Sequence, residues 1–170
     1  MAGDRREAPL KALELLASLI GHGVEFVVIG GYSLAAHGYI RGTKDVDIVP
    51  EPGRSNLKRL LTALEDLDAE HLALGDFAPD ELPELSLENL EQGGNWLLRT
   101  RLGRLDVMQH VEGMSSYRHL RDGAIAPDLP GFKRPPHFAG YDDLIALKQA
   151  AGREQDLLDI AELERARGAS

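Results

Sequence analysis

The sequence predicts an α/β domain whose mixed β-sheet is flanked by helices, with further helices at the C-terminal end. Three observations predict it. Short runs rich in β-branched residues, Val24 to Ile29 and Asp45 to Val49, alternate with stretches whose leucines recur at helical spacing. Two adjacent runs, Asn95 to Thr100 and Arg104 to Val111, read as a hairpin turning at Leu102-Gly103. After residue 140 only helical periodicity remains.

The first helix is expected over Ala8 to Ile20, where Leu10, Leu13, Leu16, Ala17 and Ile20 repeat at three and four residues, and Gly21 and Gly23 end it. The nearly unbroken apolar run Val24 to Ile29 suits a strand buried on both faces. Gly30-Gly31 breaks it, and Ser33 opens a short helix to His37. The strand Asp45 to Val49 is closed by Pro50 and Pro52, and Ser55 caps a helix through Leu67. From Asp68 to Gly94 periodicity is weak, so a long loop with one helical turn is expected. A proline-rich connector, Pro127 to Pro136, leads to helices at Asp142–Ala151 and from Glu154 to about Arg165. The expectation is one domain over 1–170, with a core at about 10–115 and a helical part at about 140–167.

A chain of 170 residues with 43% hydrophobic and 28% charged content is long enough to bury its own core. It has no cysteine, which excludes disulfides and cysteine-based zinc sites. The N-terminal stretch lacks a signal-peptide pattern, and no run approaches the roughly 20 apolar residues of a membrane span. A cytoplasmic protein is therefore expected. The net charge of -9 argues against binding nucleic acid through overall charge. The charge is uneven, however: Glu65 to Glu91 holds carboxylates and no Lys or Arg, whereas Arg99 to Arg134 is basic. The basic stretch could serve an anionic substrate or be solvated surface.

Asp45 and Asp47 share one face of a strand, because strand side chains alternate. Two adjacent carboxylates repel unless a cation lies between them, and magnesium, which bridges carboxylates to substrate phosphates, is the natural candidate. A solvated strand end is the plain alternative. Gly30-Gly31, between a buried strand and a helix start, could bring backbone N–H groups against an anion, or could be a simple tight turn. Asp106 is a carboxylate among apolar strand residues; it either shares that cation or faces water from an edge strand.

The order Gly-Gly, x-Ser, D-x-D and a later strand aspartate resembles the nucleotidyltransferase superfamily, the fold of DNA polymerase beta. The chain looks most like its AbiEii-type toxin branch and related small bacterial proteins. The resemblance is carried by Val28 to Gly38 with Arg41 to Asp47, by Gly103 to Asp106, and by Asp143 to Lys148 with Arg153, Asp156 and Asp159. One departure is that Gly31 stands where much of the superfamily has serine, the hydroxyl coming two residues later at Ser33. The likeness implies that Asp45, Asp47 and Asp106 hold two magnesium ions and an NTP. It also implies that Gly30, Gly31, Ser33, Arg41, Lys44 and Lys148 bind its phosphates, although the residues alone leave Arg41 and Lys44 open as surface charge and Lys148 as a snorkelling surface lysine. The acceptor would be a hydroxyl of tRNA or protein, with a cognate antitoxin as partner. An aminoglycoside-like acceptor, attracted by the acidic stretch, and a non-catalytic nucleotide-binding module are the competing readings. Asp156 and Asp159 are expected to pair with arginines between the last helices, and His37 is either a core or a site residue.

Overall fold

The computed structural model describes residues 10–169; Ala8 and Pro9, where the first helix was expected to begin, lie outside the described residues. The elements run α1 (Ala12–Gly21), β1 (Phe26–Ile29), α2 (Gly31–Ala36), β2 (Asp45–Pro50), α3 (Arg54–Asp66), β3 (Glu70–His71) and a 3₁₀ turn (Pro79–Glu81). They continue with α4 (Leu87–Gln92), β4 (Asn95–Thr100), β5 (Gly103–Met108), α5 (Tyr117–Asp122), β6 (His137–Phe138), α6 (Tyr141–Ala151) and α7 (Glu154–Gly168). The strands form one mixed sheet in the order β3-β4-β5-β2-β1-β6. β2 lies antiparallel to β1 and parallel to β5, and β4 returns antiparallel to β5.

The sheet separates two apolar layers. Phe26, Val28, Val46, Ile48, Leu98, Leu105 and Val107 point to one side, where α1 and α3 supply Leu15, Leu16, Leu19, Leu57, Leu60 and Leu64. Val27, Ile29 and Val49 point to the other and meet Leu34, Leu144, Leu147 and Leu163. All four residues of β1 are buried because both faces are covered, which explains its continuous apolar run. On the second side, α2 packs on β1, β2 and β6, and α5 on β1.

Local chemistry fixes several ends. Gly103 has φ +108°, and a Cβ there would come within 2.6 Å of the Leu10 backbone. Thr100 completes the β4–β5 turn: its hydroxyl donates to the Gly103 carbonyl at 2.8 Å and accepts from the Leu102 N–H at 3.0 Å. Helix α3 begins earlier than expected, with Gly53 rather than Ser55 at its N-cap. The segment from Asp68 to Gly94 is more ordered than its weak periodicity suggested, for it contributes the edge strand β3 and helix α4, capped by Ser86. Helix α5 and strand β6 lie in stretches where no element was expected, and the hairpin turns at Arg101-Leu102. Among the described residues, no helix is long and apolar enough to cross a membrane.

Asn56, buried in the first turn of α3, bolts the helix to the sheet. Its Nδ2 donates to the Glu25 and Glu51 carbonyls at 2.8 and 2.9 Å, and its Oδ1 accepts from the Glu25 N–H at 2.7 Å. Asn56→Ala is expected to destabilise the fold by about 2–3 kcal/mol, since buried backbone groups lose their partners. Thermal unfolding should then shift down by roughly 5–10 °C.

Candidate active site

The parallel register of β2 on β5 places Asp47 directly beside Asp106, and Asp45 beside Arg104. With Asp45 and Asp47 two residues apart on β2, the three carboxylates gather on one face, each offering an oxygen within 4.8 Å of the others. Asp106 belongs to a central strand and is 7% exposed, so the edge-strand alternative fails. Val46 and Ile48, between and after the acidic pair, fill the opposite core as the alternation requires.

Crowding of like charge in a dry place shows in the titration of the protein alone. Burial, then Asp45, then Asp106 push the Asp47 carboxyl up to about 8, with the Lys148 ammonium opposing. Asp106 is pushed up to about 6, chiefly by burial and by Asp45, with Arg104 opposing. Asp106 Oδ1 is buried and has no hydrogen-bond partner. An orphaned carboxylate oxygen beside two more carboxylates is a hard-oxygen donor set that suits a divalent cation such as magnesium. The residues present therefore fit the ion that the sequence suggested.

The glycine pair leans on this cluster. Gly30 adopts φ +72°, and a Cβ on it would sit 2.2 Å from Asp47 Oδ2. A Cβ on Gly31 would meet the Thr43 side chain at 2.9 Å. Thr43 in turn donates its hydroxyl to the Asp45 carbonyl at 3.1 Å. Ser33 is fully buried, and its hydroxyl donates to the Gly30 carbonyl at 2.6 Å, so it shapes the turn from below. The short helix starts at Gly31, two residues before the expected opening.

A cleft of about 620 Å³ runs over the cluster, lined by Gly30, Gly31, Arg41, Lys44, the three aspartates, Lys148 and Arg153. A more apolar lobe of about 290 Å³, with Ile29, Met108, Val111 and Leu147, shares Asp47 and Lys148 with it. A separate cavity of about 210 Å³ at the β3–β4 edge is walled by residues such as His71, Leu72 and Trp96 and holds no acidic cluster. Three of the cleft cations, Arg41, Lys148 and Arg153, are held by helix α7. Asp159, with no exposed surface, accepts from Arg41 Nε and Nη2 at 2.9 and 3.0 Å and pairs with Lys148 Nζ at 2.9 Å. Asp156 pairs with Lys148 at 3.3 Å and Arg153 at 2.7 Å. Desolvation raises the carboxyl pKa of both aspartates, but hydrogen bonds from these cations outweigh it and keep both below the ordinary value. Asp156 thus pairs as expected with an arginine between the last two helices, Arg153, whereas Asp159 takes Arg41 from the loop between α2 and β2, and Lys148 joins the network as a buried member rather than a surface lysine. His37 is not among the residues lining the cleft; its ring Nε2 is bonded to the Ala139 carbonyl at 2.8 Å.

No protein-family model matches this chain, and no curated protein matches it as a relative. Solved structures do. ANT(2")-Ia, solved in complex with adenylyl-2"-tobramycin, matches with a TM-score of 0.52 at 15% identity, over 92% of this chain and 92% of that one. An antigenic nucleotidyltransferase-like protein from Paracoccidioides brasiliensis matches with a TM-score of 0.52 at 18% identity, over 92% of this chain and 78% of its own. The chain has the nucleotidyltransferase fold. Within that fold its glycine turn, its three aspartates and the cations from α6 and α7 all open onto one cleft.

Reading the sequence alone overlooked Thr43, Arg104 and Arg153 as neighbours of the cluster. Thr43 carried a faint signal, two residues before the D-x-D; the others depend on strand and helix pairing that no local pattern encodes.

Two outcomes are expected. Asp47 is more protonated when folded than when unfolded, so its contribution to stability falls as pH rises from about 4 to about 8. Asp47→Asn should therefore raise the melting temperature of the metal-free protein at about pH 9 and erase the stabilisation that added magnesium gives the wild type there. Asp159→Ala strands Arg41 and Lys148 beside a buried gap and is expected to cost about 3–5 kcal/mol in urea unfolding.

Proposed function

We propose that this protein is a magnesium-dependent nucleotidyltransferase that moves a nucleoside monophosphate from an NTP to a hydroxyl. The observation that carries the reading is the in-register pair Asp47 and Asp106 with Asp45 beside them, facing a glycine turn across one cleft.

In this reading Asp45, Asp47 and Asp106 hold the metal. Two magnesium ions held there supply charge neutralisation for the attacking and leaving oxygens of an in-line displacement. The Gly30-Gly31 turn lets the triphosphate approach Asp47 with no side chain between, and Ser33 keeps that turn in shape. Lys148, Arg153 and Arg41, fixed by Asp156 and Asp159, present positive charge toward the β- and γ-phosphates, and Lys44 adds a further cation to the cleft lining. Asp106, in register beside Asp47, would complete the metal site and help activate the acceptor hydroxyl by taking its proton. The hydroxyl oxygen bonds to the α-phosphorus as the α–β bridging bond breaks and pyrophosphate leaves.

The acceptor is the finer question. A toxin acting on tRNA or protein, with an antitoxin partner, rests on the sequence resemblance to AbiEii-type proteins. The basic stretch adds little to it, because Arg99 pairs with Glu70, Arg134 with Glu25, and Arg101 with the Asp66 carbonyl. An antibiotic acceptor is favoured by the acidic segment along the β3 edge and would show as resistance to an aminoglycoside panel in an expressing host.

Purified protein with magnesium, each α-labelled NTP in turn, total tRNA and cell lysate should transfer label to an acceptor. Asp47→Ala should lower that transfer at least about a hundredfold. Nucleotide binding with no transfer to any acceptor would favour the non-catalytic module, and absence of magnesium-dependent nucleotide binding would overturn the reading.

A further inference from the structure

Arg104 stands at the edge of the acidic cluster, on the side away from the glycine turn. It stands on β5 two residues before Asp106, on the same face, with Asp45 as its register partner on one side and Arg99 on the other. The Gly30 turn lies at the far side of Asp47, at the end of β1. The aspartates therefore divide the face into a half beside the glycine turn and α6, and a half formed by β5 and β4. Within the proposed function, phosphates take the first half. An in-line displacement brings the attacking hydroxyl from the side opposite the leaving pyrophosphate, and that side is the one Arg104 occupies.

The chemistry of Arg104 is unfinished in the protein alone. Its Nε is buried and has no hydrogen-bond partner. Among the described residues, no side-chain hydrogen bond or ion pair reaches its guanidinium, although Arg99 beside it is satisfied by Glu70 at 2.7 Å. A planar guanidinium with free donors is shaped to take two oxygens of one oxyanion, phosphate or carboxylate.

We propose that Arg104 is an acceptor-side anion subsite, so that the hydroxyl acceptor is a small molecule carrying a phosphate or carboxylate group. The inference rests on the nucleotidyltransferase reading and deepens it. A long polyanion fits less well, because the adjacent cations Arg99 and Arg101 are already engaged and the β3–α4 flank is acidic. A polycation would set positive charge against Arg104. A guanidinium with no hydrogen-bond partner, on the β5–β4 side of the carboxylates, matches one anionic group.

The test uses calorimetry on the full chain saturated with magnesium and the α,β-methylene analogue of each NTP in turn. Glycerol 3-phosphate, glycerate, glycerol, a short single-stranded RNA and tobramycin are then titrated in. The expected result is binding of glycerol 3-phosphate or glycerate but not of glycerol. That binding should weaken about tenfold or more in Arg104→Gln and in part return in Arg104→Lys, with nucleotide affinity unchanged in both. A response to only one of the two anions identifies phosphate or carboxylate as the group. Several results overturn the proposal: neither anion binds the wild-type complex; Arg104→Gln binds them equally; only RNA or tobramycin binds; or Arg104→Gln weakens the nucleotide analogue by the same factor, which places Arg104 on the triphosphate side. If no analogue binds the wild type with magnesium, the nucleotidyltransferase reading itself fails. Analogue binding without an Arg104-dependent anion sinks this inference alone. Circular dichroism of each variant shows that the fold is retained, and the ¹⁵N resonance of Arg104 Nε should move with the bound anion and with none of the neutral probes.

Discussion

The parallel pairing of β2 with β5 is the constraint on which everything else rests. It sets Asp47 against Asp106 at the centre of a sheet, where neither carboxylate can retreat into solvent. A sheet interior normally gains from apolar neighbours, and here it holds concentrated negative charge instead. The opposite face of the same strands offsets this: Val46, Ile48, Leu105 and Val107 are fully buried against α1 and α3. The strands are held from behind by hydrophobic packing, so the front can carry the repulsion. That division of labour is possible only because strand side chains alternate.

The second charge layer has the reverse character. Asp156 and Asp159 are at least as buried as Asp106, yet their carboxyls lie below the usual range, because Arg41, Lys148 and Arg153 answer them. The two layers differ in what completes them. The C-terminal carboxylates are satisfied within the chain; those on the sheet leave an oxygen with no partner. The fold closes one set of buried charges and leaves an oxygen of the other open toward the cleft.

Much of the architecture was legible because its elements carry strong local signals. The β-branched runs at Val24–Ile29 and Asp45–Val49, and the leucine periodicity of α3, follow from burial on two faces and on one stripe respectively. What stayed hidden has equally physical causes. Strand β6 is two residues long and lies just after prolines, held mainly by its pairing with β1 and with Ile125. Helix α4 depends on a single buried leucine and a serine cap. For the site, the D-x-D pair announces itself through period-two alternation, but the adjacency of Asp106 depends on a parallel register across nearly sixty residues of chain. The residue-level resemblance supplied that link. Lys148 illustrates the limit: its neighbours suggested either a surface lysine or a ligand, and only the packing of α6 on α7 reveals the two aspartates that bury it.

The bond between Arg41 and Asp159 spans 118 positions of sequence. During synthesis the sheet strands through β5, and with them all three aspartates, leave the ribosome well before α7 exists. A nascent chain at that stage has its acidic cluster but not the carboxylates that steady Arg41 and Lys148, so the two sides of the cleft mature at different times. Helix α7 thus acts as the keystone of the cleft: its Asp159 steadies Arg41 and Lys148 and its Leu163 closes the second core, so both arrive only after the acidic cluster has been made.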